Sequence, residues 1–118
     1  MENIILNMVK LLLIRMKENN ILEVDENELR ENFYKFKNSK KYQKYFYSYI
    51  YDENGICIKF EKELKSLIIK EQIIKYNNYL YINMNTNDNH FSKNLNNITD
   101  QMISDYIKFN MEKQKIKN

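Results

Sequence analysis

Between residues 55 and 84 the chain changes from a helical to a strand period. In GICIKFEKELKSLIIKEQ the apolar positions Ile56, Phe60, Leu64, Leu67 and Ile68 recur at three- and four-residue spacing, which predicts a helix. QIIKYNNYLYINM follows, two β-branched and aromatic runs separated by Asn77 and Asn78. Asparagine tolerates the left-handed backbone, so Asn-Asn predicts a two-residue hairpin turn. That turn sets Tyr76 opposite Tyr79 and Ile74 opposite Tyr81. Ile73, Leu80, Ile82 and Met84 then share the other face, which should lie on the core.

The same pattern places helices on either side. Residues 2–18 are apolar nearly all round, with Asn3, Asn7, Lys10 and Lys17 on one narrow strip, as expected of a helix buried within a bundle. Asn19 and Asn20 form a natural stop, and Ile21 to Val24 a short apolar link. Asp25, followed three residues later by Glu28, is a capping-box signature for a second helix that buries Leu29, Phe33 and Phe36. Its first turn is acidic, which suits the positive end of the helix dipole. Residues 40–51 predict a third helix with Tyr42, Tyr45, Phe46, Tyr49 and Ile50 on its apolar side. The alternation of Tyr45, Tyr47, Tyr49 and Tyr51 would equally suit a strand. Asp52 to Gly55 is a turn, and it carries the only glycine of the chain. A polar loop, NTNDNH, precedes a last helix with Leu95, Ile98, Met102, Tyr106 and Phe109 on one side. Residues 112–118 read as a frayed tail. The fold class expected is mainly α with a small β-hairpin: four to five helices and a two-stranded wing, in a single domain over 1–118.

Length and composition narrow the classes. A chain of 118 residues buries roughly two-thirds of its unfolded surface, enough for one core without disulfide or metal. The single cysteine, Cys57, excludes an internal disulfide and fits a reducing, cytoplasmic setting. The longest apolar run is too short to cross a bilayer, and a Met-Glu-Asn start lacks the positive charge of a signal peptide. Lys, Asn, Ile and Tyr dominate while Pro and Ala are absent, an imprint of AT-rich codon choice. A net charge of +3 permits a polyanionic partner without demanding one.

Catalytic constellations are missing. His90 is the only histidine, distant in sequence from Cys57, which sits among apolar residues as a small buried hydrophobe would. No cluster has zinc-ligand spacing, and one glycine cannot build a phosphate loop. The loop starting at Asn85 departs from a calcium loop at His90 and Asn96, where glycine and glutamate are needed. No enzyme activity, cofactor or metal is expected.

Charge asymmetry carries more. Carboxylates crowd residues 18–31, whereas Lys35, Lys37, Lys40, Lys41 and Lys44 follow with no acid until Asp52. Phe36, Tyr42 and Tyr45 interleave them. Lysines neutralise phosphates and rings stack on unpaired bases, so this is a candidate nucleic-acid-binding segment; the alternative is a solvated lysine face over an aromatic core. In the helix before the hairpin, Glu61, Glu63 and Glu71 would oppose phosphates, and no arginine is present to read guanine. Tyr76, Tyr79 and Tyr81 are candidates for a protein interface, since tyrosine gives rigid contact area at low entropy cost. Cross-strand packing beneath the last helix is the competing reading.

The succession of an apolar first helix, a second helix, a Tyr/Gly turn, a helix containing Leu64 and Leu67, and a hairpin resembles small winged-helix proteins of bacterial and phage origin. The likeness covers about two-thirds of the chain, from Leu11 to Met84. It implies one of two functions. One is a nucleic-acid-binding regulator, in dimeric form, that uses the lysine segment and the wing. The other is an inhibitor from a phage or mobile element that docks on and blocks a nucleic-acid-processing host protein such as a CRISPR effector.

Overall fold

The computed structural model, which describes residues 7–85 and 93–117, sets the first apolar segment at the centre of the fold. Helix α1 spans Met8–Glu18, and Met8, Val9, Leu11, Leu12, Leu13, Ile14 and Met16 are all fully buried. A helix apolar around most of its circumference needs neighbours on several sides; here α3, α4 and the sheet supply them. The Asn7 side chain caps it by accepting the Lys10 N–H. The expected start at residue 2 lies outside the described residues. The stop is as expected: Asn20 turns left-handed (φ 65°), and the Ile21 N–H closes on the Met16 carbonyl at 2.9 Å.

Strand β1 (Glu23–Asp25) comes next, then α2 (Glu26–Asn38). Asp25 caps α2 through Oδ1, which accepts the N–H groups of Asn27 and Glu28 at 2.8 and 3.0 Å. Leu29, Phe33 and Phe36 are buried as the spacing predicts.

The third helix expected over 40–51 does not form. One 3-10 turn, Gln43–Tyr45, stands in its place. Aromatic side chains lose rotamer freedom in a helix, so a run this rich in tyrosine gains little from helical backbone. The segment is fixed by its side chains instead. Tyr42, Phe46 and Tyr49 are buried, whereas Ile50, expected on the apolar side, is 75% exposed. Phe33 meets Phe46, Tyr49 and Phe60 edge-on at 4.8 to 6.0 Å. The Tyr49 hydroxyl donates to Glu63 Oε1 at 2.6 Å and accepts the Met8 N–H at 2.8 Å. Burial raises the pKa of both the Tyr49 phenol and the Glu63 carboxyl above their ordinary values.

The Asp52–Gly55 turn is present, with Gly55 at φ 76° and Asp52 Oδ1 accepting the N–H groups of Asn54 and Ile56. Helix α3 (Ile58–Ile69) begins only after Cys57, whose backbone is extended and bridges to Tyr51. Ile56 therefore precedes the helix and is exposed, not part of its buried face. Phe60, Leu64 and Leu67 are buried. Glu71 ends the helix in the left-handed region (φ 60°), with Gln72 N–H on the Leu67 carbonyl.

Strands β2 (Ile73–Tyr76) and β3 (Tyr79–Ile82) form the expected hairpin with Tyr76 opposite Tyr79 and Ile74 opposite Tyr81. Asn77 takes φ 53°. Strand β1 adds a third member, giving the antiparallel order β1-β3-β2. The sequence link Ile21 to Val24 thus contains the start of an edge strand, too short for its period to show. Helix α4 (Lys93–Lys117) packs on α1 and buries Met102, Ile103 and Tyr106, and its backbone stays helical into the 112–118 tail. Mainly helical, with a small three-stranded sheet, the architecture is compatible with a helical domain carrying a hairpin wing.

Candidate binding surfaces

The sheet has one face on the core and one open. Val24, Ile73, Leu80 and Ile82 are buried inside, with Met84 beyond them. On the outer face the register lays two rows across the three strands, Glu23–Tyr81–Ile74 and Asp25–Tyr79–Tyr76. Tyr76, Tyr79, Tyr81 and Ile74 are 38 to 48% exposed, so α4 does not cover them. The rings of Tyr76 and Tyr79 lie 6.1 Å apart. A hydrogen bond from the Tyr76 hydroxyl to Glu23 raises that phenol's pKa. The sequence singled out the three tyrosines. It did not reveal their carboxylate neighbours, because Glu23 and Asp25 join this face only through β1. The polar-apolar-polar triplet Glu-Val-Asp was the available signal.

Where the outer face meets α4, a groove of about 460 Å³ opens. Ile21, Val24, Tyr79, Tyr106, Ile107 and Met111 supply its apolar surface, and Glu23, Asp25 and Glu28 its charge. Burial first, then the charges of Glu28 and Asp25, push the Tyr106 phenol up to about 12.

The five lysines of the basic segment lie in the last turns of α2 and in the loop after it, and most have intramolecular partners. Lys35 Nζ stands 3.0 Å over the Phe109 ring. Lys37 is half-buried and donates to the Phe46 carbonyl at 2.9 Å. Lys41 faces Asp105 at 3.9 Å, and Asp105 also accepts the Tyr42 hydroxyl. Lys44 lies 5.2 Å from the Tyr45 ring, and Lys40 is exposed. Phe36 and Tyr42 are buried against each other, so they offer no stacking surface.

Helix α3 departs from its expected charge. Glu61 takes a two-point ion pair from Arg30, Nε to Oε2 at 2.8 Å and Nη2 to Oε1 at 2.7 Å. Glu63 holds Tyr49. With both acids engaged, Ile58, Lys62, Lys65 and Ile69 form an exposed stripe at helical spacing. Tyr34, Tyr47, Ile50, Ile56 and Ile58, in and near the 46–58 segment, are further exposed hydrophobic side chains that were not foreseen.

Cys57 is buried, and His90 lies outside the described residues. Among the described residues no three metal-binding side chains gather, and no helix is long and apolar enough to cross a membrane. No protein-family model, curated protein or solved structure matches this chain.

Proposed function

We propose that this chain is a non-enzymatic binding module that docks on another protein through the outer face of its sheet. The single observation that carries this reading is that three tyrosines and an isoleucine stand exposed together on one face, flanked on β1 by Glu23 and Asp25. Tyrosine supplies contact area with few rotors to freeze, which is the composition of protein interfaces. The two carboxylates repel a phosphate backbone, which disfavours nucleic acid on the same face. Docking that blocks a larger, nucleic-acid-processing host protein fits this surface.

A second reading, nucleic-acid binding, draws on two features. The order α1-β1-α2-α3-β2-β3 supports the winged-helix resemblance. The Lys62 and Lys65 stripe on α3 also presents positive charge unopposed by Glu61 and Glu63, although two lysines give few phosphate contacts.

Affinity capture of partners with the wild-type chain and with Tyr76→Ala/Tyr79→Ala/Tyr81→Ala, run beside anisotropy on labelled duplex DNA and single-stranded RNA, decides between them. The expected outcome is a protein captured by the wild type and lost with the triple variant, and no salt-dependent nucleic-acid binding. Tight DNA or RNA binding that weakens with salt and is abolished by Lys62→Glu/Lys65→Glu would replace the first reading with the second.

A further inference from the structure

We infer that the exposed stripe of α3 is a second protein-docking surface, and that its occupant is a partner α-helix with acidic residues at its centre and apolar residues towards its ends. The stripe shares no residue with the tyrosine face and is independent of it. Ile58, Lys62, Lys65 and Ile69 are separated by four, three and four positions, the spacing of the seam along which two helices pack. All four are exposed, the isoleucines to 66 and 70%. Phe60, Leu64 and Leu67 already anchor the opposite side of the helix in the core, so the fold makes no use of the stripe. The aliphatic stems of Lys62 and Lys65 continue its apolar surface between the two isoleucines.

Charge selects the occupant. Glu61 is held by Arg30 and Glu63 by Tyr49, and neither Lys62 nor Lys65 has an ion pair or hydrogen bond among the described residues. A helix laid along the seam meets two uncompensated ammonium groups at its middle, where carboxylates complement them and cations are repelled. A second copy of this chain fails that condition. Pairing the stripe with itself so that the isoleucines match, in either direction, sets lysine against lysine. Nucleic acid fits less well, because an isoleucine at each end would lie against phosphates. At Ile58 the stripe runs into a groove of about 260 Å³ lined also by Ile50, Tyr51 and Ile56. The polar groups of that groove are engaged internally: Lys59 donates to Ser48, and Asp52 accepts the amides of its own turn. An apolar side chain at one end of the partner helix has its seat there.

The test uses two fluorescein-labelled, alanine-based peptides of about 20 residues, long enough to hold a helix in water, titrated against the full chain. At the spacing of the stripe one carries Leu, Glu, Glu and Leu, the other Leu, Lys, Lys and Leu. The Glu peptide should bind at least tenfold more tightly than the Lys peptide, and less tightly as salt rises. Lys62→Gln/Lys65→Gln should abolish that preference, and Lys62→Glu/Lys65→Glu should reverse it, a gain of binding that misfolding cannot produce. Ile58→Ser/Ile69→Ser should weaken the Glu peptide several-fold, whereas Lys108→Gln, an exposed charge on α4, should leave it unchanged. Equal affinity for the two peptides, binding of neither, or a preference that survives both lysine variants overturns the inference. So does dimerisation of the chain that is lost with Ile58→Ser/Ile69→Ser, which would make the occupant a second copy. Labelled duplex DNA that binds more tightly than the Glu peptide, and is lost with Lys62→Glu/Lys65→Glu, overturns it in favour of a nucleic-acid surface. The sheet face is judged separately, by capture with the tyrosine variant, so either surface can fail while the other stands.

Discussion

Ile73 and Ile74 are the same side chain one position apart in β2, and the sheet gives them opposite surroundings. Ile73 is 1% exposed, paired with Ile82 and set on the core beside Leu80. Ile74 is 48% exposed, paired with Tyr81 on the open face. Because a strand alternates its side chains, a slip of one residue would exchange the two faces entirely. The left-handed residues at both ends of β2, Glu71 and Asn77, hold the register against that slip. The inner face is built for folding. The outer face carries apolar area that folding does not use, and this is the argument that it serves binding.

The sharpest test of the difference is Ile73→Ala. It removes a buried branched side chain from a packed wall and should cost about 3 kcal/mol, as core truncations of this kind do. The measurement is the shift of the urea midpoint at constant slope. A loss below about 1 kcal/mol would mean that the inner face is not tightly packed and that the comparison fails at its stronger end.

Much of this contrast was legible in the sequence, for a physical reason. The Asn-Asn turn sits between two runs long enough to show a two-residue period, so both the register and the buried set Ile73, Leu80 and Ile82 followed from pattern. The capped start of α2 was legible through Asp25 and Glu28, and the apolar circumference of α1 implied its central place. Three things were not legible. Strand β1 has three residues, fewer than a period needs, so Glu23 and Asp25 could not be assigned to the tyrosine face. Residues 40–51 satisfied helical and strand spacing at once, and the segment is ordered by ring contacts and the Tyr49 hydroxyl, which are tertiary. The partners of Glu61, Glu63, Lys35 and Lys41 are distant in sequence, and that of Lys37 is a backbone carbonyl set by the fold of the 40–51 segment, so a tally of charges along the chain overstated both the acidity of α3 and the availability of Lys35 and Lys37.

The rim of the inner face offers a middle-sized test. Lys75 shares the parity of Ile73 but sits at the end of the strand, where its ammonium stands 3.0 Å from Glu26 Oε1. Arg30 meets the other oxygen of Glu26 at 2.6 Å. Burial works against the charged form of Glu26, yet the hydrogen bonds and charges of Arg30 and Lys75 outweigh it and hold the carboxyl below 4.5. A carboxyl with a depressed pKa in the folded state binds fewer protons there than when unfolded. Its stabilisation is therefore full above about pH 4.5 and is lost as pH falls through the folded value. Glu63, whose pKa is raised, has the opposite sign: its contribution is present at low pH and is lost as pH rises through its folded value. Glu26→Gln should cost about 1–2 kcal/mol at neutral pH, discounted because Arg30 and Lys75 are partly solvated. It should also flatten the acid limb of the stability profile while leaving the Glu63 part in place. An unaltered acid limb would show that Glu26 does not join β2 to α2 energetically.

The smallest expected effect is the most informative about function. Ile74→Thr keeps a β-branched side chain on the strand, so its backbone preference is preserved, while about half of the isoleucine surface was never removed from water. Stability should change by no more than about 0.5 kcal/mol, as for ordinary surface substitutions. If the outer face is the docking surface, the same variant should still weaken the captured partner, because threonine removes apolar area from the row it shares with Tyr81 and Glu23. Binding loss without stability loss would separate the two faces by purpose as well as by burial. A stability loss approaching that of Ile73→Ala would instead make Ile74 a packed residue, and the open face would lose its claim to be free for a partner.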